Sequence, residues 1–192
     1  MTLPPGVGFD PGGIGKGYAA DLLSQELLSH GAAGVCVNVG GDLRVHGEGP
    51  GRGAGAWTIG IEHPLDPKAT ELIGLRSGAV ATSSRTRRTW GPSDDRRHHL
   101  IDPRTGLSAR TGLLSATVVA AEGWQAEVVA KAAFIAGLSE GLALMASTGT
   151  DGLLVDDRGS VYPSFGFNRF TGPRRLPGAA ASFAIAMQGS RS

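Results

Sequence analysis

A glycine-rich loop with a single lysine precedes the first helical pattern of the chain, and its residue types are those that bind phosphate groups. Glycine occupies positions 12, 13, 15 and 17, and Lys16 lies between the last two. Main-chain N–H groups at the start of a helix lack partners and carry a partial positive charge, and glycine lets a ligand approach the backbone closely. Two interpretations stay open: a site for an anion such as phosphate, or an ordinary turn before a helix.

The spacing of this loop differs from that of the common nucleotide-binding motifs. A P-loop follows the pattern G-x-x-x-x-G-K-[ST], whereas Asp10 stands in place of its first glycine and Gly17 in place of its serine or threonine. The glycines at 13, 15 and 17 also lack the G-x-G-x-x-G spacing of dinucleotide-binding folds. Neither motif therefore identifies the ligand.

Hydrophobic periodicity predicts an α+β domain with a mostly antiparallel sheet packed against helices. Apolar residues at 19, 22, 23, 27 and 28 follow helical spacing, so we expect a helix from about Tyr18 to His30 with that face inward. Strands are predicted at 35–39, 43–45, 57–61, 72–75, 79–82 and 113–121, helices at 124–138 and 139–147, and a final hairpin at 152–156 and 161–162. Because strands outnumber helices and do not alternate regularly with them, antiparallel pairing is favoured.

Composition indicates one globular unit without a general affinity for nucleic acid. The 192 residues include 18 basic and 17 acidic ones, for a formal net charge of +1. Arginines at 85, 87, 88, 96 and 97 bracket a polar segment that is either a solvated loop or an anion-facing lid. Trp90 is the only aromatic residue there, which is too little for stacking single-stranded nucleic acid. The single cysteine, Cys36, lies in an apolar run and is predicted to be buried.

The two ends of the chain carry separate expectations. The first residues hold no basic region followed by an apolar stretch, and no apolar run reaches membrane-spanning length, so the chain as written is predicted to be cytoplasmic and to have no membrane span. The sequence begins shortly before its glycine-rich loop, which indicates a missing upstream segment; if that segment held a signal, the protein would be exported. From Gly172 onward Pro, Arg, Gly and Ala dominate, which predicts a loosely ordered tail over 172–192.

Six segments, in this order along the chain, resemble the FAD:protein FMN transferase family, the ApbE-like flavin transferases. They are the loop at 12–18, Asn38-Val-Gly-Gly-Asp42, Trp57-Thr-Ile-Gly-Ile61 with Pro64, Ala81-Thr-Ser83, His99-Leu-Ile-Asp-Pro-Arg-Thr-Gly106, and the helix with Ala126-Glu127 and Lys131. The resemblance implies one flavin transferase-like domain over residues 1–171 with a T-fold-type core, from which the N-terminal part of a usual family member is absent.

Members of that family cleave the pyrophosphate of FAD, join the FMN phosphate to a threonine hydroxyl of a target flavoprotein, release AMP and use magnesium. The resemblance therefore implies FAD as substrate and an acceptor flavoprotein as partner. Such an exchange needs neutralisation of phosphate charge and deprotonation of a hydroxyl nucleophile, which agrees with the phosphate interpretation of the loop. A non-catalytic FAD-binding protein and an FAD pyrophosphatase that gives free FMN and AMP remain as alternatives.

The resemblance also implies roles for individual residues. His99 matches the motif histidine and is the expected proton acceptor, because an imidazole titrates near neutral pH. Asp102 would orient that imidazole or help to hold a cation, Lys16 would counter phosphate charge, and the carbonyl of Gly15 would be a main-chain metal ligand. Residue types alone also fit simple turns at 38–42 and 102–106. The residues expected to contact FAD are Gly12, Gly13, Gly15, Lys16, Gly17, Tyr18, Asn38, Gly40, Gly41, Asp42, Thr82, Ser83 and Lys131.

The helix of the sixth segment departs from the family pattern. The family has Asp and, one helical turn later, Thr, both binding magnesium, whereas this chain has Glu127 and Lys131. An ammonium offers no oxygen ligand, so magnesium binding of the usual kind is doubtful, although Glu127 stays a candidate ligand. Residues at i and i+4 share one helix face, so the two side chains are expected to pair, either as an ordinary exposed pair or beside a ligand. Three outcomes stay open: Lys131 neutralises the phosphates, Glu127 still holds magnesium, or the site binds flavin without turnover.

Overall fold

A computed structural model describes residues 2–50, 55–92 and 95–171, and its centre is a six-stranded antiparallel sheet. The helices are α1 (Gly15–Ser29), α2 (Gly123–Ala136) and α3 (Leu138–Ser147). The strands are β1 (Gly34–Val39), β2 (Asp42–Gly47), β3 (Trp57–Glu62), β4 (Thr70–Leu75), β5 (Gly78–Ser84), β6 (Thr89–Trp90), β7 (Arg97–His98), β8 (Ile101–Asp102), β9 (Leu107–Ser108), β10 (Leu113–Ala120), β11 (Asp151–Asp156) and β12 (Val161–Pro163). The sheet order is β1-β2-β5-β10-β11-β12. The predicted α+β fold with mostly antiparallel pairing is confirmed.

Two apolar layers cover the two faces of this sheet. Because side chains alternate between faces along a strand, Ala79 and Ala81 of β5 join the layer that contains α2 and α3, whereas Val80 joins the layer that contains β3 and β4. Strands β3 and β4 pair with each other as a separate hairpin. We call the two faces the helix side and the hairpin side.

Helix α1 begins earlier than predicted and buries a different face. It starts at Gly15 rather than near Tyr18, and the leucines at 22, 23 and 27, which were expected to point inward, are about half exposed. The buried residues of α1 are small or polar, namely Gly17, Ala20, Asp21 and Ser24. Close contact with α2 leaves no room for a larger side chain there. Hydrophobic periodicity does not register a helix contact that is built from small residues.

Cys36 is exposed, so the prediction that it is buried was wrong. Its cross-strand partner is Val45, which belongs to the hairpin-side layer. β1 is an edge strand of the sheet. Val35, the residue before Cys36, is buried. An apolar run at a sheet edge thus exposes alternate residues where no second layer covers that edge.

The polar segment after β5 forms short hairpins that the sequence did not predict. β6 pairs with β7, and β8 pairs with β9. The later part of this segment packs on α2, since Leu100 is buried in the helix-side layer and the His98 ring makes a T-shaped contact with Phe134 at a centroid distance of 5.7 Å. The adjacent His99 is therefore held on the helix side of the sheet.

The remaining predicted strands and helices are present, with ends that differ by a few residues. The predicted tail over 172–192 lies outside the described residues, and the division of the chain at residue 171 stays a prediction. None of the helices in the described ranges has the length and apolar character needed to cross a bilayer.

Candidate functional site

Four charged side chains meet on the helix side of the sheet, where α1, α2 and the start of β2 come together. The Lys16 ammonium contacts the Asp42 carboxylate and lies 3.9 Å from Oε1 of Glu127. The Lys131 ammonium lies 2.8 Å from the same Glu127 oxygen. We call these four residues the charge cluster. Its two ammonium groups and two carboxylates balance in formal charge.

Glu127 is the buried centre of the charge cluster. Its side chain is 1% exposed, whereas that of Lys131 is 23% exposed. Both carboxylate oxygens accept hydrogen bonds, Oε1 from Lys131 Nζ at 2.8 Å and Oε2 from the Gly17 N–H at 2.8 Å. A carboxylate at this depth is tolerated only because it is paired and hydrogen-bonded. The predicted pair of Glu127 and Lys131 is therefore present, and it is not an ordinary exposed pair.

Each of the helices α1 and α2 has a carboxylate side chain that accepts hydrogen bonds from main-chain N–H groups in the first turn of the other helix. Glu127 of α2 accepts the Gly17 N–H of α1, and Asp21 of α1 accepts the N–H groups of Gly123 and Trp124 at 2.7 and 3.0 Å. Each carboxylate lies at the positive end of the other helix, where negative charge is favoured. This exchange requires close approach, since a Cβ on Gly17 would lie 2.2 Å from the Gly123 carbonyl oxygen. Helix packing alone therefore requires glycine at position 17.

The glycine-rich loop keeps only part of the anion-binding capacity that its sequence indicates. Its N–H groups that are hydrogen-bonded within the protein are those of Gly12, Ile14, Gly15, Gly17 and Tyr18. Within the described residues, the N–H groups of Gly13 and Lys16 have no partner. An anion at this helix start would thus meet two free amides and the adjacent ammonium groups, rather than a full cradle of amides. The Tyr18 side chain is exposed.

A two-residue turn places Asp42 in the charge cluster. Gly40 and Gly41 have φ angles of +61° and +97°, the left-handed conformation that tight β-hairpins need and that glycine adopts without strain. The Asn38 side chain accepts the Gly41 N–H at 2.9 Å, so Asn38 stabilises the turn, as the plainer interpretation of this segment expects. Burial raises the pKa of the Asp42 carboxyl above its usual value, and the Lys16 ammonium opposes that shift.

The hydroxyl groups of Thr82 and Ser83 lie on opposite faces of β5. The Thr82 hydroxyl pairs with that of Thr117 at 2.9 Å on the hairpin side, and Thr82 lines a cleft of about 100 Å³ there together with Gly41. Ser83 is buried on the face of Ala81, which is the helix side. Neighbouring strand residues alternate in this way. One phosphate group therefore cannot contact both hydroxyls, and Ser83 is the one on the side of the charge cluster.

His99 has a ring nitrogen without a partner. Its Nδ1 is buried and forms no hydrogen bond within the described part of the chain. Burial lowers the pKa of His99 below its usual value; a hydrogen bond with the Arg88 main chain opposes this, and the charges of Arg88 and Lys131 lower it further. A neutral imidazole with a free nitrogen can accept a proton.

Asp102 bonds within its own turn, and the role predicted for it beside His99 stays a prediction. The Asp102 carboxylate bonds to Nε and Nη2 of Arg104 at 3.0 and 2.9 Å and also accepts the Arg104 main-chain N–H. These bonds hold the pKa of Asp102 below its usual value. The segment from Asp102 to Gly106 is the tight turn between β8 and β9, with φ of +70° at Gly106. The carboxylate therefore serves this turn, and the described residues show no bond between it and His99.

Comparison with known proteins identifies the family of this chain. Residues 2–154 match the model of the ApbE family. The chain belongs to the ApbE family. It is 32% identical over 159 residues to an FAD:protein FMN transferase of Treponema pallidum, which is 78% of this chain and 44% of that protein. A Rhodobacter capsulatus protein of the same name is 31% identical over 160 residues, with 82% of this chain and 30% of that protein covered.

Solved structures of ApbE proteins share the fold. The ApbE protein of Thermotoga maritima matches with a TM-score of 0.78 at 35% identity and covers 88% of this chain and 55% of its own. The apo form of the flavinyl transferase ApbE of Pseudomonas stutzeri matches with a TM-score of 0.73 at 27% identity, covering 86% of this chain and 52% of its own. This ApbE-family chain thus spans about half the length of these structures and less than half of the two curated relatives.

A buried arginine that the sequence did not single out ties the sheet to both helices of this ApbE-family chain. Nε of Arg44 lies 3.0 Å from Oδ1 of Asp21, and its Nη2 lies 3.4 Å from Oε2 of Glu122. Nη1 donates to the main-chain carbonyls of Val45 and Gly78. A charged residue in a short alternating strand is ordinarily interpreted as solvent-facing, so no pattern indicated this burial.

Two clefts on the hairpin side do not reach the charge cluster. One of about 360 Å³ is lined by residues of β3, β4, β11 and β12, and the other is the cleft of about 100 Å³ beside Thr82. His99, Lys16 and Lys131 line neither of them. A single nucleotide cleft between the glycine-rich loop and His99 stays a prediction from the sequence.

Proposed function

We propose that this chain binds FAD and transfers its FMN moiety to a threonine hydroxyl of a target flavoprotein, with release of AMP. Family membership supports the proposal, since the curated relatives carry the name FAD:protein FMN transferase. The observation that carries most weight is the position of His99. His99 follows His98, whose ring packs on Phe134 of α2, so this imidazole belongs to a segment on the same side of the sheet as the charge cluster, and its Nδ1 has no partner within the described residues.

In the proposed reaction, the threonine oxygen attacks the phosphorus on the FMN side of the FAD pyrophosphate. A new P–O bond joins FMN to the acceptor, and the P–O bond to the AMP phosphate breaks. His99 takes the proton of the threonine hydroxyl, and AMP leaves with the electron pair of the broken bond. The products are therefore the FMN–threonine phosphodiester, AMP and one proton, which balances FAD and threonine.

The charge cluster and the loop would bind the phosphates. The ammonium groups of Lys16 and Lys131 would offset the negative charge that develops on the phosphate oxygens, and the free N–H groups of Gly13 and Lys16 would donate hydrogen bonds to them. The α1–α2 contact sets the positions of these ammonium and N–H groups before any ligand binds, so the site needs little reorganisation when FAD binds.

Mass spectrometry of a transfer reaction tests the proposal. The protein is incubated with FAD and a pool of synthetic threonine-bearing peptides, and the FMN–peptide product and AMP are quantified. The variant His99→Asn should lower the transfer rate by about 100-fold or more while FAD binding, followed by quenching of flavin fluorescence, stays unchanged. His30→Asn is the matched control, because His30 is an exposed residue at the end of α1.

The products separate the proposal from its alternatives. Free FMN and AMP without a flavinylated peptide would identify a pyrophosphatase, and intact FAD that stays bound would identify a non-catalytic FAD-binding protein. Either result contradicts FMN transfer. Transfer that proceeds equally well in His99→Asn and in His30→Asn would contradict the role given to His99.

A further inference from the structure

The oxygen donors beside α1 and α2 are already committed to partners within the protein. Oε1 of Glu127 faces Lys131 Nζ at 2.8 Å and Lys16 Nζ at 3.9 Å, and Oε2 accepts the Gly17 N–H. Oδ2 of Asp42 contacts Lys16, and its Oδ1 lies 3.4 Å from the Thr82 N–H. A divalent cation entering here would have to displace an ammonium group and would then remain next to another.

The family resemblance implies magnesium, but the residues of the charge cluster do not fit this ion. Magnesium needs about six oxygen ligands in near-octahedral geometry, and its protein ligands are usually one or two free carboxylates. The charge cluster offers two carboxylates that two ammonium groups already neutralise. Across the described residues, no group of three or more His, Cys, Asp or Glu side chains could hold a metal ion.

Lys131 is the cation of the cluster with donors to spare. Its ammonium has three N–H groups, of which one bonds to Glu127, and the other two have no partner in the described ranges. Lys16 instead lies between two carboxylates, those of Asp42 and Glu127. The Lys131 side chain is also partly exposed, at 23%, so an anion can reach it without unfolding of the helix.

We infer that the Lys131 ammonium is a built-in cation for the FAD pyrophosphate, so that this chain binds FAD and transfers FMN without a divalent metal ion. The inference rests on the proposed function. Glu127 fixes the ammonium in place, and the α1 amide of Gly17 fixes Glu127 in turn. An ammonium carried by the chain itself supplies at this position a positive charge that does not depend on the concentration of a metal ion.

Binding of FAD with and without metal tests the inference. FAD is titrated into the 192-residue protein in excess EDTA and in excess magnesium, with flavin fluorescence as the signal. The wild-type Kd should agree within about twofold between the two media. Magnesium titrated alone into the wild-type protein should give no binding heat and no shift in Tm. Neither wild-type measurement depends on the folding of a variant.

Two variants sharpen the test. Lys131→Thr should weaken FAD binding in EDTA about tenfold or more, which is about 1.4 kcal/mol, and magnesium should restore part of that affinity because Glu127 then loses its ammonium partner. Lys68→Thr is the matched control, since Lys68 is an exposed residue in the connection between β3 and β4. It should bind FAD as the wild type does in both media.

The outcomes separate this inference from the proposed function. Wild-type FAD binding that is lost in EDTA and restored by magnesium overturns the built-in cation but leaves the proposed function standing. Equal affinity of Lys131→Thr and Lys68→Thr in EDTA overturns it as well. If the protein binds FAD in neither medium, the proposed function fails, and the inference that rests on it fails too. Absence of binding heat from magnesium alone would then support only the poor fit of these donors to magnesium.

Discussion

Replacing Gly17 with alanine perturbs the contact on which the charge cluster depends. The added Cβ would lie 2.2 Å from the carbonyl oxygen of Gly123, 2.4 Å from its carbonyl carbon and 2.7 Å from the main-chain nitrogen of Trp124. All three neighbours are main-chain atoms, so rotation of a side chain cannot relieve the overlap. Helices α1 and α2 must move apart instead.

The size of the effect of Gly17→Ala follows from that distance. Ordinary contact begins near 3.4 Å, so the gap must widen by about 1 Å, and overpacking of this kind costs about 1–3 kcal/mol. The same movement stretches the Gly17–Glu127 and Gly123–Asp21 hydrogen bonds, each worth about 1 kcal/mol. The better helix propensity of alanine offsets up to about 1 kcal/mol. We expect the free energy of unfolding to fall by about 2–4 kcal/mol.

Urea unfolding followed by circular dichroism measures this loss, with Gly13→Ala as the matched control. Gly13 lies in the same loop, but a Cβ there would meet no atom within 4 Å, so its free energy of unfolding should change by less than about 0.5 kcal/mol. If Gly17→Ala is as stable as Gly13→Ala with the same m-value, the close α1–α2 contact does not exist in solution. The reciprocal carboxylates would then need another explanation.

Three further results are expected. Burial lowers the pKa of His99, so the imidazole stays neutral until the pH falls through that lowered pKa. The kcat/KM for FMN transfer should therefore fall only below the ordinary histidine pKa of about 6.5. A midpoint of the pH profile above that value would contradict the burial of His99. Arg44→Met leaves the buried Asp21 without its cation and should cost about 3 kcal/mol in urea unfolding, whereas the exposed Arg110→Met should be near neutral. Cys36 should react completely with a thiol reagent in the folded protein, but more slowly than free cysteine, because partial burial of the thiol raises its pKa. Labelling that needs denaturant would refute its exposure.

The longer strands and the second helix were predictable because their signals are local. Alternation and turn residues located β3, β5 and β10 within a few residues, and the glycine pair at 40 and 41 located the β1–β2 turn. The inner face of α1 was not predictable in this way. The leucines of α1 give the stronger apolar pattern, yet the face that packs against α2 consists of small residues. These residues allow the close approach of α2, which the sequence of α1 alone does not indicate.

The members of the charge cluster were predictable only through the order of the family-like segments. Lys16, Asp42, Glu127 and Lys131 come from three elements far apart in sequence, and residue patterns within each element do not show that they meet. Long-range hydrogen bonds were beyond any local pattern for the same reason. Asp102 was singled out because a carboxylate next to a histidine motif suggests catalysis, and the sequence did not indicate the bonds between this carboxylate and Arg104.

The reciprocal carboxylates change what the start of α1 can offer a ligand. A helix N-terminus attracts anions through free N–H groups and the helix dipole. The N–H group of Gly17 is not free, because it already donates a hydrogen bond to Glu127. A phosphate approaching the loop would also face the negative charge of Glu127, unless a cation screens it. Lys131 bonds to that carboxylate and still has two N–H donors without a partner in the described part of the chain. Glu127 and Lys131 therefore act together. Without the Lys131 ammonium, the Glu127 carboxylate that holds α1 against α2 would repel the phosphate that the loop is proposed to bind.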